Sequence, residues 1–174
     1  MFTRLSAAIA AICLVGGGAF AQSAAKPTDP QIAHIAYTAG VIDVAAARQA
    51  LARSKNKDVR AFAQDMMRDH EAVNKQAAEL VKKLNVKPED NDTSLSLIKR
   101  ASDKQVELSK LSGGTFDRVY IASELAFHRT TTSALQTLLI PSASNAELRS
   151  LLETRLKVFR SHEQYAEHVA LALK

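Results

Sequence analysis

The 174-residue chain has a single cysteine, Cys13, and it lies inside an apolar N-terminal segment. No thiol remains beyond that segment, which excludes disulfide stapling and thiolate chemistry in the rest of the chain. Glycine is scarce inside the later segments. They hold no glycine-rich phosphate loop, and no serine stands in a recognisable nucleophile motif. Runs of Val, Ile and Thr with period two are missing, so no strands are expected. The apolar run Leu5–Val15 falls short of the roughly 20 residues that span a bilayer. The Glu-x-x-His pair of di-iron bundles is also missing, because Met67, Leu125 and Phe159 stand three residues before His70, His128 and His162. Ferroxidase or di-iron oxygenase chemistry is therefore not expected, and the chain is read as a non-enzyme.

The N-terminal residues have the form of a secretory signal. Arg4 supplies the positive start, Leu5–Val15 the apolar segment, and Ala19-Phe20-Ala21 a small-x-small cleavage site before Gln22. Ile12 precedes Cys13 where a lipoprotein would carry a small residue. The expected layout is a signal peptide over residues 1–21, a linker over 22–29 and one bundle domain over 30–174, with a periplasmic destination. The formal charge of +5 falls to about +4 once Arg4 is removed. Bases and acids are interleaved, as in RAFAQDMMRDHEAVNK, which describes a solvated helix surface rather than a nucleic-acid stripe. Weak attraction to anionic envelope surfaces is compatible with this charge, and a protein partner is left open.

The most strongly patterned stretch is Val59 to Leu84. Phe62, Met66, Val73, Ala77, Leu80 and Leu84 recur at spacings of three and four, and His70 fills the one gap. Helix one is expected from Asp29 as cap and Pro30 as first residue to about Arg53, with a small inner face of Ile32, Ile35, Ala39, Ile42, Ala46 and Ala50. The short link at Ser54–Lys57, with Asn56 as cap, makes helices one and two antiparallel neighbours. A shorter helix three, capped by Asp92 or Thr93, would run through Leu97, Ile98, Ala101, Leu108 and Leu111 and stop at Ser112-Gly113-Gly114. Helix four is expected from Thr115 to about Leu139, and helix five from Ala146 to Leu173. Two long hairpins joined by a shorter crossover helix make an all-α, ferritin-like four-helix bundle.

Four polar residues fall on the apolar faces near the midpoints of the long helices. Asp43 lies within the inner arc of helix one and His70 on the seam of helix two. His128 lies between Leu125 and Leu135 on helix four, and His162 on the seam of Leu152, Phe159 and Ala166 on helix five. Midpoints of antiparallel helices share one level, so these four can meet, with Asp69 and Glu124 close enough to contribute. A carboxylate and three imidazoles can hold a divalent transition metal such as Fe, Mn, Zn or Cu. The same residues can instead form a hydrogen-bonded layer that fixes helix register. His34, His168 and the tyrosines Tyr37, Tyr120 and Tyr165 are read as surface or bundle-edge residues, and Met66 and Met67 as core filler.

The stretches AGVIDVAAARQAL, DVRAFAQDMMRDHEAVNKQ, FDRVYIASELAFHRTTTSAL and NAELRSLLETRLKVFRSHEQYAEHV together resemble the exported bacterial family of the domain of unknown function 4142. The resemblance implies export and a ferritin-like bundle, with no established activity. Two positions depart from the family's pattern, which usually has Glu at Asp43 and Asp at Phe127. Phe127 leaves His128 without an adjacent carboxylate to orient its ring, which favours the register-setting layer and a structural or stress-related envelope role.

Overall fold

The structure, a computed structural model, describes residues 26–174. The expected signal peptide and residues 22–25 of the expected linker lie outside the described residues. Six α-helices follow: α1 Asp29–Arg53, α2 Lys57–Lys83, α3 Asp92–Ser109, α4 Gly113–Ala134, α5 Ile140–Ser142 and α6 Ala146–Ala172. A π-helical turn, Leu135–Leu139, joins α4 to α5. No strand occurs among the described residues. The all-α bundle expected from the sequence is observed.

The helix starts are set by side-chain oxygens that accept otherwise unpaired N–H groups. Asn56 accepts from the N–H groups of Asp58 and Val59 at 2.9 and 3.2 Å, as expected. Asn145 does the same for Glu147 and Leu148. Two expected caps are corrected. Thr28 caps α1, in a reciprocal box with Gln31. Asp29 is thereby released to accept the N–H groups of Ser144 and Asn145 at 2.8 and 2.9 Å, which pins the start of α6 to the start of α1. Asn91, not Asp92 or Thr93, caps α3 by accepting from the Ser94 N–H at 3.0 Å.

Two boundaries also differ. Gly113, at φ +55°, turns the corner after α3, so α4 begins two residues earlier than expected. The helix then widens over Leu135–Leu139, where the Ile140 N–H donates to the Leu135 carbonyl five residues back. Pro141 follows at once. It has no N–H to donate, and its ring would crowd the carbonyl four residues back in a regular helix.

Cross-helix pairs define the packing. Gly40 against Asn74 and Asp43 beside His70 run α1 antiparallel to α2, and Arg48–Glu71 pairs the same two helices. Lys83–Glu147 and Asp69–His162 run α2 antiparallel to α6. Arg129 meets Glu163 and Glu167, placing α4 on α6. The crossover helix α3 lies parallel to α1 on the outside, held by Gln49 and Arg53 donating to the carbonyls of Gln105 and Ser109. His34, read as a surface residue, is half-buried and also ties α3 down. Its Nδ1 is 2.9 Å from Ser94 Oγ, and its Nε2 is 3.1 Å from Asp90. Ile98, expected to pack inward, is 48% exposed, because α3 contacts the bundle along one narrow face.

Apolar side chains form two clusters. One gathers Val59, Phe62, Met66, Phe116, Tyr120, Ile121 and Val169. The other gathers Ile32, Ile35, Leu135, Leu139, Leu152 and Phe159. Tyr120 is a correction: it is fully buried rather than at the edge, stacked on Phe116 with centroids 6.0 Å apart. Between the two clusters the same helices place a polar layer.

Candidate metal centre

All four long helices contribute to this layer. Asp43, His70 and His128 have no exposed surface, and Glu124 and His162 are also buried. Asp69 stands half-buried at the rim. The midpoint reading thus brought Asp43, His70, Glu124, His128 and His162 together, with Asp69 joining from outside.

Hydrogen-bond partners fix the ring protons. His128 Nδ1 lies 2.8 Å from the Glu124 carbonyl oxygen, so Nδ1 carries the proton and Nε2 is a bare lone pair. Asp69 is held below the usual carboxylate range, chiefly by hydrogen bonding from Arg68. His162 Nε2 therefore donates to Asp69 Oδ2 at 3.0 Å, and its Nδ1 accepts from His70 Nε2 at 3.1 Å. That leaves His70 Nδ1 bare, 3.4 Å from Asp43 Oδ2 but without hydrogen-bond geometry.

The layer is thus unequal across its width. The side made of Asp69, His162 and His70 Nε2 is fully hydrogen-bonded. On the other side His70 Nδ1, His128 Nε2 and both carboxylate oxygens of Asp43 are buried with no hydrogen-bond partner in the protein. Leaving such a group unpaired costs about 1–3 kcal/mol, so a concentration of them at one spot makes this a candidate ligand site. One ligand atom from each of Asp43, Glu124 and His128 lies within 4.8 Å of the others, and the same holds for His70, His128 and His162. His128 belongs to both groups but has only Nε2 to offer.

Burial sets the protonation of the metal-free layer. It pushes Glu124 up to about 8. Asp43 is raised well above its ordinary value, first by burial and then by the charge of Glu124, with Arg155 opposing. At neutral pH Glu124 therefore keeps its proton. Burial also pushes His128 down to about 3 and His70 well below its ordinary value. His162 is lowered too, with Asp69 opposing. The imidazoles are neutral and their lone pairs are available.

Arg155 was not singled out from the sequence, although it is 1% exposed and abuts this layer. Its Nη1 donates to the Ala36 carbonyl at 2.6 Å and its Nη2 to Asn74 Oδ1 at 2.8 Å. Burial pulls it down to about 10, with Asp43 opposing. The signal was present in the spacing. Arg155 fills the gap between Leu152 and Phe159 on the buried seam of α6, as His70 does on α2. Gly40 makes room for it, since a Cβ there would collide with Asn74 and lie 2.8 Å from Arg155 Nη1.

Fold and layer together define an all-α bundle whose core gathers histidines and carboxylates from all its long helices. A family model described as Domain of unknown function (DUF4142) matches residues 17–169, and the chain belongs to that family. The resemblance read from the sequence is borne out. No curated protein and no solved structure matches the chain.

Proposed function

We propose that this protein is an exported, periplasmic, non-enzymatic metal-binding protein that holds one divalent transition ion in the middle of its bundle. The observation that carries this reading is the set of buried, unpartnered ligand atoms on Asp43, His70 and His128. Asp43, Glu124 and His128 are the direct ligands, with His70 Nδ1 beside Asp43 to complete the set. Two carboxylates with imidazole nitrogen suit Fe, Mn or Zn better than Cu(I), which favours sulfur. Displacing the proton that burial keeps on Glu124, beside the Asp43 carboxyl, offsets the positive charge of the ion. The chain from His70 through His162 to Asp69 orients His70, as carboxylate–histidine pairs do around metals. Because His128 has one free nitrogen, the carboxylate group and the three-histidine group compete for it, and one ion per chain follows.

The complete hydrogen bonding of the Asp69–His162–His70 side supports a second reading, a layer that only sets helix register in a structural envelope protein. Thermal melts of untagged protein with and without Fe(II), Mn(II) or Zn(II) separate the two. Metal binding raises the melting temperature, by the equivalent of about 2.7 kcal/mol at 100-fold excess of ion over its dissociation constant. The rise should vanish in Asp43→Asn and His128→Ala. In His162→Ala it should persist, with affinity weakened about 10–100-fold. No rise with any of the three ions would leave the register layer as the function.

A further inference from the structure

A groove of about 580 Å³ opens between α1, α3 and α4 on the outer face of the bundle. Here α3 rests on α1; Leu108 joins the apolar cluster of Phe116 and Tyr120, and Leu97 and Phe127 pack against the other cluster. Its walls are hydrocarbon, with Ile42, Ala46, Leu97 and Leu108 facing Val119 and Phe127. Its charges are of one sign. Arg100 and Lys104 line it from α3 and Arg118 from α4, while the one acid in the lining, Glu124, is buried in the core layer. Lys104 pairs with Glu107, but Arg100 and Arg118 make no ion pair among the described residues.

We propose that this groove binds a single-chain fatty acid, its hydrocarbon along the α3–α4 walls and its carboxylate on Arg100 or Arg118. The volume lies in the range of roughly 300–1,000 Å³ found for small-molecule sites. An apolar cleft with a few placed cations selects an amphipathic anion over a neutral chain, because the carboxylate gains a charge-assisted hydrogen bond only there. A second hollow supplies the contrast. It holds about 340 Å³ between α1, α2 and α6, is lined by Ala33, Tyr37, Leu80, Val86 and Leu148, and has no cationic side chain in its wall. Neutral chains have no reason to prefer the first site over the second. The proposal does not depend on a metal in the core.

The test uses the metal-free full domain and the fluorescent fatty acid cis-parinaric acid, displaced by palmitate or by hexadecanol. Saturable binding is expected, with palmitate displacing the probe at least about 10-fold more tightly than hexadecanol. The double change Arg100→Ser/Arg118→Ser should weaken palmitate by about 10-fold and leave hexadecanol unchanged. Ala122→Phe, at an exposed position that lines the groove, should block it and abolish binding. Circular dichroism reports whether each variant keeps its helices, and Ala126→Phe blocks the same groove if Ala122→Phe does not fold. Equal displacement by palmitate and hexadecanol would overturn the proposal. So would binding that survives a folded blocking variant, or no saturable binding at all.

Discussion

At either end of the bundle the long helices bury mainly hydrocarbon, Phe116 on Tyr120 at one end and Leu152 with Leu139 at the other, and unpaired atoms there are isolated ones such as the Tyr120 hydroxyl. Midway, the same helices bury Asp43, His70, Glu124, His128 and Arg155, and leave lone pairs without partners. The ends lower the free energy of the fold, and the middle raises it. A chain that needed only stability or register would close its hydrogen bonds, as the Asp69–His162–His70 side does. The unclosed half is the part that points to a ligand.

The comparison can be broken at several places, beginning with the largest effect. Phe116→Ala should destabilise by about 3–5 kcal/mol in urea unfolding, the ordinary result of emptying a packed aromatic site. It should leave the number of ions bound per folded chain unchanged. Gly40→Ala acts closer to the layer, because the added methyl displaces Asn74 and Arg155. The expected loss is about 1–3 kcal/mol, with the thermal denaturation midpoint as readout.

The pH dependence sharpens the contrast further. Glu124 is raised from 4.5 to about 8 in the fold. Between those values the folded chain keeps a proton that the unfolded chain has lost. Its contribution therefore falls by about 1.4 kcal/mol per pH unit as pH rises, levelling off once the carboxyl ionises. The lowered histidines act in the opposite sense, losing stability as pH falls below their ordinary value of 6.5 toward about 3 for His128. Glu124→Gln should flatten the alkaline limb of the stability profile of chelator-treated protein and leave the acid limb in place. An unchanged alkaline limb would show that Glu124 is already ionised in the fold. The smallest effect belongs to the exterior. Breaking the exposed Lys99–Asp103 pair with Lys99→Ala should shift stability by no more than about 0.5 kcal/mol.

Periodicity made the helices and the layer legible. His70, His128, His162 and Asp43 each interrupt an apolar stripe near a helix midpoint, and antiparallel packing does the rest. Arg155 interrupts its stripe in the same way and was passed over, because a guanidinium at such a position usually extends to solvent. Here Gly40 and Asn74, from two other helices, create the space and the acceptor that keep it inside, and no single-helix pattern carries that information. Tyr120 was missed for a similar reason, since its burial depends on Phe116 and Phe62 meeting it from its own helix and from α2. The cap at Thr28 was hidden behind Asp29, an equally good capping residue by type, whose carboxylate is taken by Ser144 and Asn145 across the fold. The unequal bonding of the layer could not be read from sequence, because it depends on ring orientations set by backbone carbonyls and by Arg68.

The most direct test of the central claim is elemental analysis of untagged protein purified from cells, alongside its His128→Ala variant. The account predicts close to one Fe, Mn or Zn per wild-type chain and none in the variant, with both proteins equally helical. Wild-type protein without metal, or a variant that retains it, would contradict the assignment of Asp43, Glu124 and His128 as the ion's ligands.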